Sequence, residues 1–434
     1  MTPAADPTRA IWPLRRTAGD PLTFLEGLAA TGEDVVPFRL GRRPAFLLNH
    51  PACIEDVLIH QSPVFVKGRG YERATRLLGT GLLTADGTLH RERRRVAQGA
   101  FRRQHVEGLA PVIVAHAARR RETWNVDAPV DIAREMRELT LAIAGEALFG
   151  TDLSTWADDI GRAVALAVPP MDGLLAIVAP PAQTRRARRD LDAVIDAIMD
   201  TRRGAPTPRE DFLSMILDAR RDDSPASERQ LRDDMPTFLL ASHDTISHAL
   251  TWTWLLLAAY PDVDEQLGAE VANILGTRLP EAHDVPRLVC TRAIVAEALR
   301  LFPPAWVIVR RAAQACRVGN VEAPAGAVMV ASPFVTHRDP RFFDQPLLFK
   351  PERWTSSPVD NRALRPRLSY FPFGAGSRAC IGEGFAWFEA TLVLATLAQR
   401  WRLGRLSSSP VEAMARVTLR PKNAPPMVPA RRFA

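Results

Sequence analysis

The sequence predicts a mainly α-helical protein with a minor β-sheet region, built as one large domain. Three observations carry this. Leu, Ala and Val recur at spacings of three and four from about residue 60 to about residue 300. Extended apolar runs are short, and they fall before that stretch and after it. The 434 residues contain no repeat, no low-complexity tract and no convincing linker. A chain of this length could hold two or three smaller domains. The simplest account is one unit over 1–434, with 1–30 as a partly irregular N-terminal extension.

Taken in order, Val35 to Leu40 and Ala45 to Leu48 read as strands, joined by a hairpin turn at Gly41-Arg-Arg. Pro51 to His60 reads as a helix with Pro at its start. The helical region is interrupted at Gly79-Thr-Gly81, Asp127 to Pro129, Pro169-Pro170, Pro180-Pro181, Gly204 to Pro208 and Ser224-Pro225. The pattern Ser227-x-x-Gln230 opens a long helix that reaches about Tyr260, before Pro261. Pro236 should bend it or delay its true start. Another helix runs from about Val285 and is stopped by Pro303-Pro304. Extended segments return at Ala305 to Arg310, Val328 to Ser332 and Ala415 to Leu419, and a last helix spans Glu383 to Trp401.

Hydrophobic residues make up 47% and charged residues 24%, so a core large enough to enclose a cofactor and an apolar substrate is expected. The start has no apolar signal core, and no run reaches the ~18 apolar residues of a membrane span. A membrane anchor is therefore not expected. Cys53, Cys290, Cys316 and Cys380 lie far apart without a C-x-x-C pair, which fits a reducing cytoplasm. The net charge of +7 is mostly arginine, in runs at 91–95, 119–121 and 185–189. Nucleic acid, an acidic protein partner and plain solvated helix faces all remain open on charge alone.

The chemistry concentrates in Phe371-Pro-Phe-Gly-Ala-Gly-Ser-Arg-Ala-Cys380-Ile-Gly382. Its cysteine has no cysteine neighbour for a disulfide or zinc site, and its glycines let backbone approach a flat cofactor. A sulfur just ahead of a helix start faces unpaired N–H groups and the positive end of the dipole, which favour thiolate. Arg378 could pair with an acidic group of the same cofactor. A buried structural cysteine is the alternative reading of these residues.

The spacing Phe373-x-x-Gly376-x-Arg378-x-Cys380-x-Gly382 resembles the haem-binding loop of the cytochrome P-450 family, the haem-thiolate monooxygenases. The resemblance runs from about Leu48 to the end of the chain. It implies haem b with Cys380 as the iron's axial ligand, Phe373 shielding the sulfur, Gly382 beside the cofactor and Arg378 on a propionate. His90 and Arg94, four apart on a probable helix, match the family's propionate-binding pair. Arg310 matches a further propionate ligand, with Arg311 as runner-up. Arg91, Arg93 and Arg95 would then lie on the cysteine-side face where the family docks electron donors.

In Leu239-Leu-Ala241-Ser242-His243-Asp244-Thr245-Ile246, an acid and a hydroxyl flanked by apolar turns are expensive to bury without a task. The stretch resembles the family's oxygen-binding groove, with Ala241 at the haem and Asp244 and Thr245 relaying protons to O2. Ser242 stands where Gly is usual and Ile246 where a second Thr or Ser is common. His243 and His248 read as core or solvated histidines rather than ligands. Glu297, Arg300 and Arg353 match the family's buried structural network. Leu240, Ala241, Ala305, Trp306, Val307 and Ile308, with the stretches Tyr71 to Leu83 and Val164 to Leu175, are the expected pocket walls.

The resemblance implies a soluble, monomeric monooxygenase that activates O2 and hydroxylates a medium-sized hydrophobic substrate: a terpenoid, a steroid or a fatty acid. The sequence carries no visible reductase module. Electrons from NAD(P)H are therefore expected through a separate ferredoxin-like donor. Peroxide-driven or non-oxidative haem chemistry is the alternative, and a basic helical nucleic-acid-binding protein a more distant one.

Overall fold

The computed structural model describes residues 20–126, 128–153, 156, 160, 181–203, 211–220, 225–355, 366–406 and 410–432. Val35–Leu40 (β1) and Arg43–Leu48 (β2) form the expected hairpin. Gly41 takes the left-handed turn between them, at φ 62°. Short strands follow at Phe65–Lys67 (β3), Ile308–Ala312 (β4), Cys316–Val318 (β5), Val321–Ala323 (β6) and Val328–Ala331 (β7). The main sheet runs β1-β2-β7-β4-β3, with β2 and β7 parallel and the other neighbours antiparallel. Trp401–Arg405 (β8), Ala413–Ala415 (β9), Leu419–Pro421 (β10) and Met427–Arg431 (β11) form two further antiparallel pairs, β8 with β11 and β9 with β10.

Helices make up most of the rest. The expected helix at Pro51 is α-helical over Pro51–Glu55 and continues as a π turn over Asp56–His60. The long helix spans Pro225–Ala259, 35 residues or about 52 Å. It starts two residues before Ser227 and passes through Pro236 without ending. Tertiary bonds hold it there. Asp234 accepts from the Leu82 N–H at 2.9 Å and from Arg93 at 2.8 Å, and both partners are buried. The last helix ends at Ala398 rather than Trp401, whose indole instead donates to the Arg121 carbonyl at 2.7 Å. From Phe388 to Ala398 that helix is buried all round, as expected of a central core helix. The helices Ala110–Thr123 and Ile132–Phe149 pack with it and with the long helix into one apolar cluster.

The helix Val289–Leu301 carries Glu297, which is fully buried. Its carboxylate accepts from Arg300 Nε and Nη2 at 2.9 and 2.8 Å, Arg353 Nε at 2.9 Å, the Lys350 N–H at 3.0 Å and the Trp354 indole at 2.7 Å. Arg300 spends its other donors on the carbonyls of His337, Pro346 and Leu348. The three residues expected to form a network are thus bonded together. His337 adds a link the sequence did not reveal. Burial and the nearby Arg300 push its ring well below its ordinary pKa, so it stays neutral, and its Nε2 accepts the Phe371 N–H at 2.9 Å. The network therefore ends on the first residue of the cysteine loop.

Removing one member of such a network strands the others in low dielectric. Glu297→Ala should lose about 3–5 kcal/mol of stability in denaturant unfolding; a change below about 1 kcal/mol would contradict this role.

Candidate active site

The cysteine loop is shaped by two glycines. Gly374 and Gly376 both sit at φ 71°. A Cβ on Gly376 would lie 2.2 Å from the Leu58 carbonyl oxygen, so neither backbone nor space admits a side chain. The Cys380 N–H donates to the Phe373 carbonyl at 2.8 Å and closes the loop. Phe373 is half-buried, with its ring 5.6 Å from that of Trp387. Gly382 caps the helix Glu383–Ala398, and its N–H is hydrogen-bonded to the Cys380 sulfur.

Cys380 is exposed by surface area yet enclosed by protein atoms. The surface it shows therefore opens on interior space. Burial pushes its thiol up to about 11, against the opposing pull of the Gly382 N–H and Arg94. The helix start alone does not ionise this sulfur, contrary to the sequence expectation, because desolvation outweighs a few N–H dipoles. A metal cation would reverse the balance, since a coordinating thiol is deprotonated outright.

A second enclosed group is cationic. His90 and Arg94 lie one turn apart on the helix Gly87–Gln98. Arg310 on β4 pairs in register with Lys67 on β3, and both side chains are buried. Electrostatic coupling joins Lys67 to Arg94, Arg310, Arg378 and Asp86. Burial drives Lys67 down to about 7 and His90 down to about 4, and Lys67 Nζ already donates to the Leu82, Leu83 and Ala85 carbonyls at 3.0, 2.7 and 2.7 Å. The one acid, Asp86, is committed: it accepts from Arg378 at 2.6 and 3.1 Å, from the Lys67 N–H at 2.6 Å and from the Gly87 N–H at 3.1 Å. Among the described residues the His90 ring has no hydrogen-bond partner. Among the same residues Arg310 donates only to the Val309 carbonyl at 3.0 Å, and Arg94 only to the Ala379 carbonyl at 2.6 Å. Buried cations without carboxylates are costly unless an anion belongs there. This cluster fits a ligand with two carboxylates, as haem has.

On the long helix, Ala241 is exposed while Leu239 and His243 beside it are buried. The Thr245 hydroxyl donates to the Ala241 carbonyl at 3.0 Å. The Ser242 hydroxyl likewise returns to Leu239 at 3.2 Å, which ties it to its own helix. Ile246 is buried in the apolar core. Burial opposes ionisation of Asp244, but the hydrogen bond and charge of His248, then His243 and Thr418, hold its carboxyl well below the usual range. Its Oδ2 accepts the Thr418 hydroxyl at 2.9 Å, and Oδ1 lies 3.4 Å from His248 Nε2.

Two further expectations change. Trp306 is 1% exposed and donates to the Arg416 carbonyl at 2.9 Å, inside a core cluster with Leu22, Leu25 and Leu419. It is a core residue, not a pocket wall, because its indole N–H needs that acceptor. Arg93 is buried against Asp234 and does not belong to an exposed docking face, whereas Arg91 and Arg95 are exposed. Of the other expected wall residues, Ala305 is exposed and Leu240, Val307 and Ile308 are half-buried, whereas Leu77, Leu78 and Leu82 of the Tyr71 to Leu83 stretch are buried in a core cluster. Ile308 also reaches the loop, 3.5 Å from where a Gly374 Cβ would lie. Val164 to Leu175 lies outside the described residues. The arginine run 119–121 is engaged: Arg120 pairs with Glu135 and Glu138, and Arg121 with Glu122.

Sequence reasoning missed Lys67, Asp86, His337 and Thr418. None sits in a local pattern that marks it; each acquires its role from partners brought in by the fold. For Lys67 and Arg310 that partner is the other strand of a register pair.

A family model described as Cytochrome P450 matches residues 6–425. Cyclooctatin synthase of Streptomyces melanosporofaciens is 37% identical over 93% of this chain and 90% of its own length. Cyclooctat-9-en-7-ol 5-monooxygenase of the same organism is 33% identical over 91% and 86%. Pentalenene oxygenase of Streptomyces avermitilis is 30% identical over 92% and 90%. The crystal structure of CYP175A1 from Thermus thermophillus superposes with a TM-score of 0.75 at 28% identity, over 96% of both chains. No helix among the described residues is long and apolar enough to cross a membrane.

The loop geometry can be tested without any ligand chemistry. Gly376→Ala should cost at least about 2 kcal/mol in thermal unfolding, from its left-handed backbone and the Leu58 contact. Gly384→Ala, with nothing within 4 Å of the new Cβ, should be neutral or stabilising by up to about 1 kcal/mol. Equal effects would refute the geometry.

Proposed function

The chain belongs to the cytochrome P450 family, and from that premise we propose that it is a terpenoid monooxygenase whose haem iron is carried by Cys380. The observation that supports this most is the pair of unmet demands in its interior. One is an enclosed free thiol; the other is the cluster of His90, Arg94 and Arg310, whose one acid among the described residues, Asp86, is already committed. One ligand, an iron porphyrin with two propionates, would satisfy both.

Bound haem supplies the oxygen chemistry, activating O2 so that one oxygen atom enters a C–H bond. The chain does the rest. Cys380 would hold the iron, steadied by the Gly382 N–H, and Phe373 covers the loop beside Trp387. His90, Arg94 and Arg310 would hold the propionates; Arg378 lies beside them, fixed by Asp86, while Lys67 spends its ammonium on the Leu82, Leu83 and Ala85 carbonyls. Ala241, the smallest residue of its turn after two leucines, would leave room over the cofactor. Asp244 and Thr245 handle protons.

Leu240, Ala241, Ala305, Val307 and Ile308 offer an apolar wall without a charged group, which orients a hydrocarbon by shape. Relatives named for the oxygenation of cyclooctat-9-en-7-ol and of pentalenene favour a terpenoid over a steroid or fatty acid. Electrons would come from NAD(P)H through a ferredoxin-like protein docking on the face of exposed Arg91 and Arg95. We place the enzyme in the cytoplasm, as a single-domain monomer.

The test is turnover under 18O2 with a ferredoxin, its reductase and a panel of cyclic terpenoids, steroids and fatty acids. The proposal expects one labelled oxygen atom in a terpenoid product and the other in water. Label-free product, or oxidation of steroids or fatty acids alone, would overturn it.

A further inference from the structure

Resting on the monooxygenase reading above, we infer that His248 is the inlet through which Asp244 receives protons from the outer side of the long helix. Thr245 and Ala241 are one turn apart and share a helix face. Asp244 precedes Thr245 by one residue and so lies about 100° around the helix. Its two oxygens are taken up on that other side, by Thr418 from the β9–β10 hairpin and by His248 one turn further along.

The surroundings narrow the choice of donor. The groups that act on Asp244 or on its neighbours are His243 and His248 from its own helix, Thr418, Arg416 and Arg420 from the hairpin, and Arg137 from the helix Ile132–Phe149. Arginine does not give up its proton in this range, and a hydroxyl only passes one on. Imidazole is the side chain that ordinarily changes charge between pH 5 and 8. Of the two histidines, His243 is buried, its Nδ1 is bound to the Leu239 carbonyl at 2.6 Å, and burial lowers its proton affinity. His248 keeps 13% of its side chain exposed and faces Asp244 directly.

The step balances. Monooxygenation consumes O2, two electrons from the donor protein and two protons, and yields hydroxylated product and one water. Each proton passes from the Nε2 of a His248 imidazolium to Asp244 Oδ1, leaving a neutral imidazole and a neutral carboxyl. The carboxyl passes it on to the Thr245 side and returns to carboxylate, and the imidazole takes a new proton from water. Asp244 is kept ionised chiefly by His248 itself. When the imidazolium gives up its proton, the charge that favours the carboxylate leaves with it, so the carboxyl can carry that proton onward.

His248→Gln keeps a hydrogen-bonding side chain but cannot ionise near neutrality. In the holoenzyme it should keep the reduced-CO band and the substrate-induced spin shift of the wild type. Product formation per NAD(P)H should fall at least about tenfold, with a larger solvent isotope effect and a lost pH dependence between about pH 5.5 and about pH 8.5. Wild-type coupling with an unchanged pH profile would overturn the inlet. A second readout is independent of turnover: in the ferrous CO complex at fixed pH, the 15N NMR signal of His248 Nε2 should move in Asp244→Asn, because its contact with Asp244 Oδ1 is lost. An unchanged signal would overturn the contact. A wild-type protein without the CO band or without turnover would instead sink the monooxygenase reading itself.

Discussion

Everything at the centre of this protein hangs on one buried carboxylate. Glu297 is fully buried, so its two oxygens must be satisfied by protein donors. Two arginines, one backbone N–H and one indole N–H meet that demand. Leaving such a charge unpaired would cost several kcal/mol, a large share of a typical domain's net stability. The donors therefore have little freedom. They pin the helix Val289–Leu301 to the turn Pro351–Trp354, and through Arg300 to the carbonyl of His337. The ring of His337 then fixes Phe371. The position of Cys380 follows, because Gly374, Gly376 and the Phe373–Cys380 hydrogen bond leave the loop one path.

The same electrostatic rule separates structure from function. The Glu297 network is closed: each carboxylate oxygen has its donors. The cluster of His90, Arg94 and Arg310 is open: among the described residues its one acid, Asp86, is already spent on Arg378. The Cys380 thiol is open as well, held neutral by burial around interior space. A closed network has every charge answered within the fold. Open ones are built for something else to close, and a flat dianionic cofactor with a central metal closes both.

Sequence made the chemistry legible where it is local. Gly376 and Cys380 sit in one loop, and Glu297 and Arg300 are three residues apart on one helix. The paired strands at Val35–Leu40 and Arg43–Leu48 were visible because alternation and a turn glycine coincide. The three-residue strands β3, β5 and β6 were not, since alternation needs a longer run to register. Lys67 and His337 were invisible for another reason: each acts through residues far away in sequence. Periodicity also could not tell a core tryptophan from a pocket wall at Trp306. Nor could it tell a solvated arginine from a buried one at Arg93, where Asp234 141 residues away decides the matter.

The central claim is that Cys380 carries haem iron as a thiolate, and the absorbance spectrum of the purified protein, reduced and exposed to carbon monoxide, tests it most directly. The account predicts a strongly red-shifted Soret band that disappears in Cys380→Ser. A protein that takes up no haem, or a shifted band that survives the loss of Cys380, would contradict it.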